Sequence, residues 1–299
     1  MVRVGLATQP VINLMRDALL DADVIYCDET TFQVLKEQGR KSQTKSYLWA
    51  QMTSSGTPIR CFAYTAGRGA KLADKLFAGI RKGAVPMTDG YEPYNGIAEQ
   101  YQLVHLGCWA NARRYLVKAE DNVPKAARSP DLLATRFIRL IGKLFAAEAR
   151  SETWTAERRQ RLRRRYSARV LDAIEKLMLE QSPGVVPKSL LGKAMIYLRG
   201  QWPKLIRYIE NGNWFIPISN NPRENSIRPF VLGRRSGLFA DTVDGANASA
   251  NLYSLVETCK ANGFDPYCYL TWLFQRLPLA KTVDDYDALL PWKMPADLR

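Results

Sequence analysis

Val24-Ile25-Tyr26-Cys27 is an unbroken run of apolar β-formers, and it ends on two carboxylates, Asp28 and Glu29. Four such residues in a row fit a strand covered on both faces, the kind found inside a layered α/β sheet. A carboxylate at the end of that strand costs several kcal/mol unless it is partnered. Asp28 is therefore a hydrogen-bonded or ion-paired strand end, or a group with chemistry to perform. Side chains alternate along a strand, which sends Glu29 to the face opposite Asp28.

The surrounding pattern supports a layered fold. Residues 11–20 read as an amphipathic helix with Val11, Leu14, Met15 and Leu19 on one face. Strands follow over 45–54 and 57–66 about a Ser-Gly-Thr-Pro turn, then a helix over 69–83 and a short strand over 84–91. Another strand over 101–108 runs into a basic helix over 109–121. This order predicts a mixed α/β fold that opens with a meander. Beyond residue 130 strand-like alternation stops. Long helices are expected over 134–150 and 156–181, then a breaker at 182–187 and a helix over 189–212. Two more helices over 249–277 are joined by Asn-Gly-Phe-Asp-Pro.

Charge narrows the partner. Lys and Arg number 43 against 29 Asp and Glu, a net +14 that suits a polyanion, most often nucleic acid. Eleven of those cations lie in residues 136–169 beside three Glu. That stretch is either a solvated helix face or an arm tracking a phosphate backbone. The five cysteines (27, 61, 108, 259, 268) form no CxxC pair and are expected to be reduced thiols of a cytosolic chain. His105 and Cys108 have the spacing of half a zinc site without a matching half. His105 is also the only histidine, which argues against serine- or cysteine-protease chemistry. No apolar run approaches bilayer length and the N-terminus lacks a signal-peptide core, so the expected location is cytoplasmic, with no membrane partner.

Two further acids stand out. Asp89 closes the strand over 84–91, although Asp-Gly is also a common turn dipeptide. Ligands of α/β sheets gather at the carboxyl ends of strands, where Asp28 and Asp89 both fall in this reading. Two carboxylates on adjacent strand ends suit a hard cation such as Mg²⁺. Glu224 lies in Ile-Ser-Asn-Asn-Pro-Arg-Glu-Asn-Ser-Ile-Arg-Pro, residues 218–229. With Asn221 as cap and Pro222 first in a helix, it takes the capping-box position. The local chemistry permits that role and metal ligation alike.

With the three acids in this order, the chain resembles the catalytic region of insertion sequence 66 family transposases of the TnpC type. These belong to the larger group with a ribonuclease-H-like core and a DDE metal triad. The resemblance rests on ordered blocks: DADVIYCDETTFQVL, KSYLWAQ, TDGYEPYN, HLGCWANARRYL, PKSLLGKAMIYLRGQWPKLIRYIENG, NNPRENSIRPFVLGRRSGLFA and SLVETCKANGFDPYCYL. Together they cover roughly residues 20 to 277. The resemblance implies Asp28, Asp89 and Glu224 as the triad, catalytic residues and metal ligands at once. It implies an α/β, ribonuclease-H-like mixed sheet flanked by helices, with a long helical insertion before the last catalytic acid. On that basis residues 1–20 form an N-terminal helix left from an upstream region, and 21–125 the first part of the core. Residues 126–212 form the basic helical insertion, 213–245 complete the core around Glu224, and 246–299 form a C-terminal helical region.

The implied activity is that of a DNA transposase. Two Mg²⁺ ions about 3.5–4 Å apart, with Mn²⁺ able to substitute, would support strand nicking and 3′-OH strand transfer. The implied partners are double-stranded DNA (transposon ends and target), a second copy of the chain or accessory transposition proteins, in a bacterial, nucleoid-associated setting. Trp109, Arg113, Arg114, Arg223, Arg228, Arg234 and Arg235 flank the motifs and are candidates for phosphate contacts. Ordinary surface charge or aromatic core packing is the other reading for each. The sequence departs from the family at Ser219 (Asp in the family), Asn225 (Arg) and Asn111 (His), and at residues 235–239, Arg-Ser-Gly-Leu-Phe in place of Lys-Asn-Trp-Leu-Phe. The family's N-terminal DNA-recognition region has no counterpart in this sequence. A truncated, catalytically silent DNA-binding remnant is accordingly the alternative expectation, with a generic ribonuclease-H-like nuclease third.

Overall fold

The computed structural model describes residues 1–54, 56–88, 90–214 and 240–295. They divide into two units, Met1–Val104 with Arg223–Arg299, and His105–Pro222.

The first unit is α/β. Helices α1 (Val2–Ala7) and α2 (Gln9–Leu20) lead into β1 (Val24–Lys36). β2 (Lys45–Thr53) and β3 (Arg60–Thr65) continue as an antiparallel meander. After α3 (Ala70–Phe77), β4 (Val85–Thr88) lies parallel to β1 on the side away from β2, so the sheet is mixed. α4 (Pro93–Gln100) follows. Later in the chain β6 (Ala240–Thr242) also runs parallel to β1, pairing Val34 with Ala240 and Lys36 with Thr242.

The period-two pattern sets the layers. Ile25, Cys27, Trp49 and Cys61 pack on one face of the sheet with Val11, Met15 and Leu19 of α2. Phe32, Val34, Leu48, Ala50 and Phe62 pack on the other, against Ala246 and Ala250 of α10 (Val243–Ala261). The apolar run at 24–27 is thus the doubly covered strand its composition predicts. α10 also protects the edge of the sheet. Ser254 Oγ accepts from the Phe62 N–H (2.8 Å), while Thr258 Oγ1 accepts from the Arg60 N–H (3.0 Å) and donates to the Arg60 carbonyl (3.1 Å). An edge strand whose amides are occupied in this way is a poor template for another strand. At the far side of α10, Gly5 of α1 comes so close that a Cβ there would sit 2.8 Å from the Ala248 carbonyl oxygen. The turn Asn-Gly-Phe-Asp-Pro joins α10 to α11 (Pro266–Arg276) as expected. Gly263 adopts φ +76°, and the Asp265 carboxylate caps the backbone N–H groups of Tyr267 and Cys268.

The second unit is helical apart from β5 (Leu106–Gly107). It contains α5 (Trp109–Asp121), α6 (Leu133–Arg150), α7 (Ala156–Leu162), a π-helical turn over Arg163–Ser167, α8 (Ala168–Gln181) and α9 (Leu190–Ile206). Its own core gathers Trp109, Leu116, Phe137, Ile141, Leu144, Ile174, Leu198 and Leu205. The expected single helix over 156–181 is interrupted by the π turn. The expected strand over 101–108 contracts to two residues, and the helix over 69–83 ends at Phe77, because Gly79 and Gly83 take φ of +88° and +79°. Among the described residues no helix is long and apolar enough to cross a membrane.

Candidate functional site

Asp28 is not at a strand's carboxyl end. β1 continues to Lys36, because Thr30, Thr31, Phe32 and Val34 are β-formers and pairing with β2 persists from Ile25↔Thr53 to Gln33↔Lys45. On the opposite side, β4 accompanies β1 only over Val24–Tyr26 and β6 only over Val34–Lys36, and Asp28 falls between those two pairings. Its side chain is half-buried, and Oδ1 accepts from the Glu29 backbone N–H at 2.9 Å. Asp28 stands opposite Ala50 in the ladder, on the face that carries Phe32 and Leu48.

Glu29 goes to the other face, as alternation requires, and there it is a buried anion. Its side chain is 2 % exposed and ion-paired with Arg68, whose own side chain remains 34 % exposed. Glu29 Oε2 also accepts from the Tyr94 hydroxyl at 3.0 Å. The Arg68 guanidinium lies 3.5 Å from the Tyr91 ring centroid and 5.9 Å from that of Tyr47. The Tyr91 hydroxyl donates to the Arg68 carbonyl, and Tyr91 and Tyr94 meet edge to face with centroids 6.1 Å apart. Burial raises the Tyr91 hydroxyl above its ordinary range, with the Arg68 charge opposing. This network ties the segment after β4 to the β1 residue that follows Asp28. Sequence reasoning placed Glu29 on the correct face but did not find its partners. The available signal was a charge on a doubly covered strand, which obliges a nearby cation, and Arg68 sits alone in Gly-Arg-Gly.

Asp89 and Glu224 lie outside the described residues, as do Arg223, Arg228, Arg234, Arg235, Ser219 and Asn225. The described framework nevertheless makes β1 and β4 adjacent parallel strands, with Tyr26 paired to Met87. β4 ends at Thr88, the residue before Asp89 in the sequence. Among the described residues no group of three or more His, Cys, Asp or Glu is placed to hold a metal ion.

The remaining candidates are on α5. Trp109 is 1 % exposed; its indole N–H donates to the Leu205 carbonyl at 2.9 Å and its ring meets Trp202 edge to face at 6.0 Å. It is a core side chain whose only donor is already engaged. Arg113 and Arg114 are exposed, and Asn111 is half-buried in the first turn of the same helix. Next to them Tyr115, 41 % exposed, stacks on Tyr197 of α9 with centroids 4.6 Å apart, a pair the sequence pattern did not flag. His105 is buried, and desolvation, with Lys204 and Arg207 nearby, pushes its pKa down to about 3. Cys108 is a buried free thiol.

The basic stretch divides in two. Arg163 is fully buried and ion-pairs with Glu148: Nε donates to Oε1 at 2.9 Å, and Nη2 reaches Oε2. Its remaining N–H groups donate to the carbonyls of Tyr208, Asn211 and Trp214. Arg159, 4 % exposed, donates to the carbonyls of Ser151, Glu152, Trp154 and Gly212. Both arginines secure the ends of α6 and α9 instead of facing solvent.

Comparison with known proteins adds the lineage. The family model described as Transposase IS66 family matches residues 1–248, and the one described as IS66 C-terminal element matches residues 254–292. Among curated proteins of Sinorhizobium fredii, the uncharacterized protein y4qI is 28% identical, covering 98% of this chain and 55% of its own length. The uncharacterized protein y4jD is 26% identical, covering 99% of this chain and 58% of its own length. The chain therefore spans little more than half the length of these relatives.

Proposed function

The chain belongs to the IS66 transposase family, and from that premise we propose that it is the catalytic part of a DNA transposase. The reaction is metal-dependent phosphoryl transfer: strand nicking at insertion-sequence ends, then attack of the freed 3′-OH on target DNA. The observation that carries this reading is the position of Asp28. It is a half-buried carboxylate on β1, two residues beyond the last pairing with the parallel strand β4, after which Asp89 follows in the sequence. The reading includes a ribonuclease-H-like core and takes the helices of residues 126–212 as an insertion before the third acid.

Asp28, Asp89 and Glu224 are the residues proposed to hold two Mg²⁺ ions, which Mn²⁺ can replace. The donor chemistry suits a hard cation: Asp28 offers carboxylate oxygens, while the adjacent soft donor, Cys27, is packed into the core of the opposite face. When bound, such ions neutralise charge on the attacking and leaving oxygens. The chain's own part is to hold and orient. Glu29, Arg68, Tyr91 and Tyr94 fix β1 where Asp28 projects. Arg113 and Arg114, together with Arg223, Arg228, Arg234 and Arg235, are assigned to phosphates of double-stranded DNA. A second copy of the chain or accessory transposition proteins complete the partners, in the bacterial cytoplasm at the nucleoid.

The test is nicking of labelled element-end duplex in Mg²⁺ or Mn²⁺. Asp28→Asn and Asp89→Asn should each lower the rate at least ~100-fold, about 2.7 kcal/mol in barrier. Full activity in both variants would end the triad assignment. The silent-remnant reading draws on Asn111, Ser219 and Asn225, which differ from the family pattern. Salt-sensitive DNA binding by a wild-type chain that never nicks would select it.

A further inference from the structure

Of the nine exposed cations of residues 136–169, all but Arg164 fall into two ordered stripes. On α6, Arg136, Arg139, Lys143 and Arg150 recur at intervals of three, four and seven residues, so they share one face, opposite buried Phe137, Ile141 and Leu144. After the turn, Arg158, Arg161 and Arg165 recur at three and four, with Arg169 extending the run; buried Arg159 and Arg163 face away from them. The two stripes meet at Trp154, whose ring centroid lies 3.9 Å from the Arg158 guanidinium and 5.7 Å from that of Arg150. Beneath them the Glu148–Arg163 pair joins α6 to the π turn, so the stripes are held in a fixed relation before any ligand arrives.

These eight cations also differ from those exposed cations of the chain that are held in ion pairs. Lys36, Arg81, Lys176 and Lys293 each pair with a nearby carboxylate. Among the described residues none of the eight is in an ion pair. The exposed acids of the stretch are Glu152 and Glu157. The Glu157 carboxyl is held below its usual range by hydrogen bonds from its own backbone N–H and from Thr155 at the start of α7, with a smaller contribution from the Arg161 charge one turn on. A periodic row of cations without close ion pairs, outnumbering the exposed acids beside it, fits a partner with regularly repeating negative charge, and the guanidinium fork matches phosphate oxygens. An acidic protein would need buried apolar anchors to dock stably, and this face offers little beyond Trp154.

We propose that the two stripes flanking Trp154 grip the phosphate backbone of a nucleic-acid duplex without reading its sequence. The choice of double-stranded DNA rests on the transposase reading; the grip itself does not involve the metal-binding acids.

The experiment titrates the full chain with a labelled duplex of arbitrary sequence in EDTA at several KCl concentrations. Arg136→Gln/Arg139→Gln/Lys143→Gln and Arg158→Gln/Arg161→Gln/Arg165→Gln should each reduce the slope of log affinity against log salt by about 2.7, or 0.9 for each phosphate no longer neutralised. The fall should be equal for arbitrary and element-end duplexes. A control triple variant at Lys36, Arg81 and Lys293, outside the stripes, should keep the wild-type slope. Unchanged slopes in both stripe variants, or an equal fall in the control, would overturn the proposal. So would polyglutamate competing as strongly as DNA, which would point to an acidic protein instead. A chain that never nicks but shows the expected slopes keeps the grip and loses the enzymatic reading. One that nicks with unaltered slopes does the reverse.

Discussion

Each unit of the molecule buries a glutamate against an arginine, and the two pairs are built differently. Glu148–Arg163 in the helical unit is closed: both side chains are 3 % exposed or less, and three backbone carbonyls take the remaining guanidinium donors. Glu29–Arg68 in the α/β unit is open: the carboxylate is buried, while a third of the arginine faces solvent and stacks on tyrosines. A saturated pair fixes chain ends and has no capacity left for a ligand. The open pair adjoins Asp28 and leaves its cation reachable. The contrast separates a charge kept for architecture from one kept beside a proposed reaction centre.

Breaking the closed pair should have the largest effect. Arg163→Met strands Glu148 without a counter-charge and removes donors from three carbonyls, so urea unfolding should show a loss of about 3–5 kcal/mol. Arg163→Lys should recover little, since one ammonium cannot reach the carboxylate and the carbonyls together. A loss below ~1 kcal/mol would mean the pair is not the clamp its geometry indicates.

Next in size is the pH response of the same unit. His105 is held neutral, its pKa near 3, whereas an unfolded histidine titrates near 6.5. Below pH 6.5 the unfolded chain therefore binds more protons, and stability falls as pH drops from about 6.5 toward 3. At pH 5 the loss should be on the order of 2 kcal/mol, and His105→Asn should flatten that part of the curve.

The open pair should be the mildest in stability. Arg68→Gln should cost about 1–2 kcal/mol, because the Tyr94 hydroxyl still donates to the buried Glu29 and water can reach the position of the partly exposed arginine. It should nevertheless slow nicking and raise the Mg²⁺ needed for half-maximal rate, with Arg68→Lys partly restoring both. A stability loss with an unchanged Mg²⁺ requirement would make the pair purely structural.

The layered sheet was legible in the sequence because a strand covered on both faces leaves an unbroken apolar run, Val24 to Cys27, all four of which are buried. The Asn-Gly-Phe-Asp-Pro turn was legible because Gly263 and the Asp265 cap each have one dominant physical use. The continuation of β1 past Asp28 was not, since a polar Asp-Glu-Thr-Thr segment looks like a strand end until its pairing with β2 is seen. Nor were Arg159 and Arg163, which in sequence resemble their exposed neighbours; their partners lie up to 53 residues away. At the candidate site, Asp28 could be singled out as a conspicuous charge on an apolar strand. Arg68, Tyr91 and Tyr94 come to it only through the return of the chain via α3 and β4.

The most direct measurement is anomalous diffraction from crystals soaked in Mn²⁺. The expected result is a peak within about 2.1–2.2 Å of an Asp28 carboxylate oxygen, shared with Asp89 and Glu224 and absent in Asp28→Asn. Manganese bound elsewhere, with Asp28 still held only by protein groups, would contradict the assignment on which the proposed function depends.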